Sequence, residues 1–100
     1  MTEEEFFNII ALHKDKYCND YENLIRFKFV GHSYAYCPIS LVYIVKTGKE
    51  TYNMAYKRRA DELSLDKNFA YNIACASDGF INSNMVKEYL IKLRAVIGLP

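Results

Sequence analysis

Three features predict an α+β fold. The chain opens on a capped amphipathic segment, alternates apolar and polar residues through its centre, and shows two more helical stripes after residue 60. The predicted order is one N-terminal helix, a small antiparallel sheet of three or four strands made of two hairpins, and two C-terminal helices on one face of that sheet. An all-α bundle is the competing arrangement. All 100 residues are assigned to a single domain.

The first helix is announced by Thr2 with Glu5 three residues on, a capping-box pair. Glu3 and Glu4 suit the positive end of a helix dipole. Phe6, Ile9, Ile10, His13 and Tyr17 share one face, so the helix is predicted from Glu3 to Tyr17 or Cys18.

The first hairpin is predicted over Leu24–Cys37, with Gly31-His32 as its turn. Phe27 then lies opposite Tyr36 and Phe29 opposite Tyr34, all on the core face, while Arg26 and Lys28 point away. Ile39–Val45 is β-branched and reads as the next strand. Lys46–Glu50 reads as a turn, and Thr51–Tyr56, alternating at Tyr52, Met54 and Tyr56, as its partner. A helix competes here: Pro38 can open one, Gly48 can close it, and Tyr52, Tyr56 and Ala60 are four apart. The strand reading is preferred because Val42, Ile44 and Val45 crowd a short helix.

After Arg59 the pattern is helical. Asp66 can cap a helix through Cys75 with Phe69 and Ile73 inward, and Asp78-Gly79 stops it. Asn82 or Ser83 caps the last helix, whose apolar stripe is Val86, Tyr89, Leu90, Leu93, Val96 and Ile97. Gly98 ends it.

Composition narrows the function classes. A 51% hydrophobic fraction supports a true core, and most of the nine Tyr and six Phe must be inside it. Three scattered cysteines argue against a disulfide framework and for a reducing compartment. The acidic start does not look like a signal peptide, and no apolar run approaches the ~20 residues of a membrane span, so a cytoplasmic location without membrane association is expected. The net charge of +1 is unevenly placed: residues 1–23 carry −4, residues 24–60 carry +6, and residues 61–100 carry −1. Such asymmetry points to an anionic partner surface, unless the acidic helix packs beside the basic segment.

No catalytic or cofactor motif is present, so no enzyme activity and no cofactor are expected. His13…Cys18 and His32…Cys37 have the residue types of a zinc site, but a five-residue spacing turns the two side chains apart on a helix. Neither Cys–His pair is predicted at a helix N-terminus or in a basic pocket. Ser77–Ile81 resembles the centre of an EF-hand loop, yet Ala74, Ala76 and Met85 stand where oxygen ligands belong. Gly48-Lys49 lacks the flanking residues of a phosphate loop.

Two surfaces remain. Residues 69–93 resemble a helix-turn-helix module, with Ile81, Val86, Leu90 and Leu93 inward and Asn82, Ser83, Asn84 and Lys87 at the exposed helix start. The second is the basic, tyrosine-bearing centre: Arg26, Lys28, Lys46, Lys49, Tyr52, Tyr56, Lys57, Arg58 and Arg59. The expected function is a small non-enzymatic binding or inhibitor protein that occupies a surface on a protein partner through those nine residues. Nucleic-acid binding through the basic sheet face or the helix pair is the alternative. In size, lack of motifs and richness in Lys, Asn, Tyr and Ile, the chain resembles small phage and mobile-element inhibitors of host defence, the anti-CRISPR proteins among them.

Overall fold

A computed structural model describes residues 1–19, 24–51 and 53–100. Within them run α1 (Glu3–Leu12), a 3-10 turn (Lys14–Lys16), β1 (Tyr17–Cys18), β2 (Arg26–Phe27), α2 (Pro38–Thr47), α3 (Tyr56–Glu62), α4 (Lys67–Ser77) and α5 (Asn84–Val96). The architecture is helix-dominated, with a two-stranded antiparallel sheet among the described residues in place of three or four strands. It lies between the predicted α+β fold and the competing helical bundle.

α1 begins as its sequence dictates. The Thr2 hydroxyl accepts from the Glu5 amide at 3.1 Å, and the Glu5 carboxylate accepts from the Thr2 amide at 3.3 Å. The helix ends at Leu12, earlier than predicted, because the His13 ring nitrogen Nδ1 engages the Ile9 carbonyl at 3.0 Å and the chain tightens into the 3-10 turn. Tyr17 therefore belongs to β1, not to the helix.

β1 pairs with β2 in the register Tyr17 to Phe27 and Cys18 to Arg26. The predicted Phe27–Tyr36 pair is present, closed by two backbone hydrogen bonds of 2.8 and 2.7 Å. The rest of that hairpin is not a ladder. The turn spans Phe29–His32, with the His32 amide donating to the Phe29 carbonyl at 3.1 Å and Gly31 at φ +85°. Gly31 is thus the third turn residue, where a positive φ is required, and the turn is centred on Val30-Gly31, one residue earlier than predicted. The shift removes the Phe29–Tyr34 pair: Phe29 is half-buried, and Tyr34 is exposed.

The second hairpin is replaced by helix. Cys37 caps α2, Pro38 occupies its first turn and Gly48 closes it at φ +71°, donating to the Ile44 carbonyl at 2.8 Å. Six consecutive residues, Pro38–Tyr43, are buried. A strand would bury alternate residues on one face, so this run suits an element wrapped on most sides. Val and Ile lower helix propensity by roughly 0.5 kcal/mol each, whereas burying such a side chain contributes about 1.5–3 kcal/mol. Tertiary burial decides the contest. The predicted strand Thr51–Tyr56 gives way to a turn, Met54 N–H to Thr51 C=O at 3.1 Å, and to the start of α3.

α4 and α5 follow the sequence closely. Asp66 and Ser83 cap them through the Phe69 and Val86 amides at 3.0 and 3.2 Å. Both end in Schellman motifs with glycine in the left-handed position: Phe80 donates to Cys75 at 2.9 Å, and Leu99 to Arg94 at 2.8 Å. One core joins Phe6, Phe7 and Ile10 of α1, the buried face of α2, Phe69 and Ile73 of α4, Val86 and Leu93 of α5, and Phe27. Phe6, Phe7, Phe69 and Tyr89 form its aromatic centre, with edge-on contacts such as Phe6–Phe69 at 5.3 Å. Among the described residues no helix is long and apolar enough to cross a membrane.

Candidate functional site

The basic centre does not form one face. Arg26 is tied inward: Nη2 donates to Asp78 Oδ1 at 2.6 Å, and Nη1 to the carbonyls of Ser77 and Ile25 at 3.1 and 3.0 Å. It thereby satisfies the C-terminal end of α4, where a cation is favoured. Arg59 is buried, at 8% exposure, with its guanidinium donating to the Met54 carbonyl and lying 3.9 Å from Cys37 Sγ. Two of the nine predicted contact residues are therefore engaged inside the fold.

The others lie elsewhere. Lys28 is exposed just beyond β2, and Lys46 and Lys49 are exposed around the end of α2. Arg58 is exposed on α3 and lies 3.8 Å from Glu62, which also accepts from the buried Tyr43 hydroxyl at 3.1 Å. Tyr52 lies outside the described residues. Among the described residues, Tyr56 and Lys57 share a groove of about 330 Å³ between α3 and α4, lined also by Ala60, Asp61, Lys67 and Ala70.

Tyr71 follows Ala70 on α4 and lies near Tyr56 of that groove. The Tyr71 hydroxyl is held above its ordinary range, first by its hydrogen bond with Cys75. Asn82 opposes the shift, donating to the hydroxyl at 3.2 Å, and the nearby Tyr56 hydroxyl adds to it. Asn82 in turn belongs to the α4–α5 corner, where Phe80 is 63% exposed, Met85 54%, and Ile81 and Tyr71 nearly half. The Schellman turn at Gly79 accounts for Phe80 and Ile81. It reverses the chain so tightly that Phe80 and Ile81 leave the core before α5 begins. Ile81 is thus not part of the inward stripe, contrary to the sequence reading.

The helix-turn-helix expectation loses part of its reading edge. The Ser83 hydroxyl is spent on the Val86 amide, and Asn82 on Tyr71. Asn84 and Lys87 remain exposed. Sequence reasoning missed the apolar corner. The available signal was Asp78-Gly79 followed at once by Phe80-Ile81, a helix stop with large apolar residues on its outer side.

No three His, Cys, Asp or Glu side chains converge as a metal-holding group among the described residues. His32 Nδ1 lies 3.4 Å from the Tyr36 hydroxyl, and its ring packs near Phe29. The Tyr36 hydroxyl is pushed up, by burial first and then by the Glu50 charge. Cys37 stands at the N-terminus of α2 beside Arg59, a placement the sequence reading did not foresee because it took residues 39–45 as strand. No family model, curated protein or solved structure matches this chain.

Proposed function

We propose that this protein is a small non-enzymatic binding protein that occupies a surface on a protein partner, with the α4–α5 corner as the centre of the contact. The carrying observation is the exposure of Tyr71, Phe80, Ile81 and Met85 at one corner of a 100-residue chain. Tyr, Phe and Met are enriched in interface cores, and exposed apolar clusters mark interaction sites. Tyr56, Lys57 and Lys67, in the adjoining groove, supply the polar rim and keep the tyrosine and lysine character expected from the sequence. An inhibitor that acts by blocking a surface, as small anti-defence proteins do, is the kind of activity such a corner supports.

Nucleic-acid binding is the weaker reading. Asp61 shares the groove with Lys57, Glu62 neighbours Arg58, and the corner offers apolar side chains where a phosphate backbone needs cations. The test pairs two variants. Phe80→Ser/Met85→Ser removes the corner, and Lys57→Glu/Arg58→Glu reverses the exposed charge. Affinity capture from the source cell should lose its specific partner with the first variant while thermal melting stays unchanged. A gel shift that weakens steeply with salt, vanishes in Lys57→Glu/Arg58→Glu and ignores the corner variant would replace this reading with nucleic-acid binding.

A further inference from the structure

Cys37 and Arg59 meet on the wall of a second cavity, about 400 Å³ in volume, which Ser40 and Glu50 also line. The Cys37 sulfur caps α2: it accepts from the Ser40 amide at 3.5 Å and lies 3.3 Å from Ser40 Oγ. Arg59 Nη2 approaches it at 3.9 Å. The same guanidinium has an unusual deficit. It is almost wholly buried, no carboxylate reaches it within ion-pair distance among the described residues, and its Nε is buried without an acceptor. A buried cation with no counter-anion is costly, and so is a buried donor with no acceptor. Cys37 itself is only partly buried and open to small reagents.

We propose that Cys37 is an oxidation site for hydroperoxides, and that the oxygen it gains serves as the acceptor that Arg59 lacks. In the step, Sγ attacks one oxygen of the peroxide. An S–O bond forms, the O–O bond breaks, and sulfur is oxidised by two electrons while the peroxide is reduced. The thiol proton ends on the departing oxygen, leaving water or an alcohol and a cysteine sulfenic acid. That oxygen is held between the guanidinium and the amide end of α2, the surroundings in which reactive cysteines recur. Cys18, partly buried in β1, and Cys75, buried in α4, have no arginine contact of this kind among the described residues and serve as internal controls. The inference is independent of the α4–α5 corner.

The test treats the folded protein with limiting hydrogen peroxide, traps sulfenic acid with a 1,3-dione and quantifies each cysteine peptide by mass spectrometry. Cys37 should label about tenfold faster than Cys18 or more, and the preference should disappear in urea. Arg59→Gln should bring Cys37 to within about threefold of Cys18, with Arg59→Lys intermediate. Equal labelling of Cys37 and Cys18 in the folded wild type overturns the proposal. A folded Arg59→Gln protein with the wild-type rate overturns it too. If Arg59→Gln does not fold, the wild-type comparison decides: a Cys37 preference that persists in urea owes nothing to the fold and sinks the idea.

Discussion

Replacing Arg26 with Met separates a structural arginine from a contact residue. In the fold Arg26 fastens the entry to β2 onto the end of α4, and the Ile25 amide adds a fourth hydrogen bond, to the Ser77 carbonyl at 2.9 Å. The Arg26 side chain is 17% exposed and its Asp78 partner 55%. The ion pair is thus half in solvent and contributes about 0.5–1 kcal/mol, not the larger figure of a buried pair. The two carbonyl contacts are partly buried and together add about 1–2 kcal/mol. Met preserves most of the apolar stem, so packing losses stay small. The expected loss is about 2 kcal/mol, which in a domain of this size lowers the melting midpoint by roughly 8–16 °C. Asp78→Asn should cost only the ion-pair share, about 0.5–1 kcal/mol, and the double variant should lose less than the sum of the two. Thermal melting followed by circular dichroism reads all three. An Arg26→Met shift under about 2 °C, or equal shifts for Arg26→Met and Asp78→Asn, would refute the structural assignment.

Other expectations can be tested in the same way. Burial, and then its hydrogen bond to Glu3 Oε1 at 2.9 Å, pushes the Tyr89 hydroxyl up to about 12. The folded state therefore prefers the neutral phenol. Its contribution is complete below about pH 10 and is lost as the pH rises toward 12, so denaturant titrations across that window should show a steeper fall for wild type than for Tyr89→Phe. Ser64 holds φ +55° in the left-handed cap of α3, so Ser64→Gly should stabilise by about 0.5–1 kcal/mol, while Ser64→Val should destabilise by more. Ser83→Ala removes the α5 cap and should cost about 1 kcal/mol in urea unfolding, with Ser83→Asp close to neutral.

The legible parts of the sequence were those with local chemical punctuation. Thr2/Glu5, Asp66, Ser83 and Gly98 each specify a hydrogen bond within a few residues, and each sits where the sequence placed it. Phe27–Tyr36 was readable for a similar reason, since alternation on either side of a glycine turn fixes a register. Residues 39–45 were not readable from β-branching, because a run buried without a break through Tyr43 has no clear period to report. Pro38 and Gly48 carried the better signal there, and the caps outweighed the propensity. At the candidate site, Tyr56 and Lys57 were anticipated but the corner was not. Phe80 and Ile81 look like core by hydrophobicity, and only the geometry of the Gly79 turn puts them outside.

Loss of the second hairpin also changes what the charge asymmetry means. On a strand, alternate residues share a face, and a run of cations can be gathered into one stripe. On α3, neighbours are about 100° apart, so Arg58 projects to solvent while Arg59 turns into the fold. Arg26 is drawn inward by Asp78, and Lys46 and Lys49 stay around the far end of α2 from Cys37. Among the described residues, Glu3 of the acidic N-terminus accepts from Tyr89. The +6 segment thus supplies two structural guanidiniums, with Arg58 and the lysines exposed at separate places on the fold. The apolar corner differs in kind. Phe80 and Met85 spend more than half their surface in water, an arrangement unfavourable for the isolated chain. Burial against a partner would recover that cost, which is why the proposed contact is centred on the corner and not on the charge.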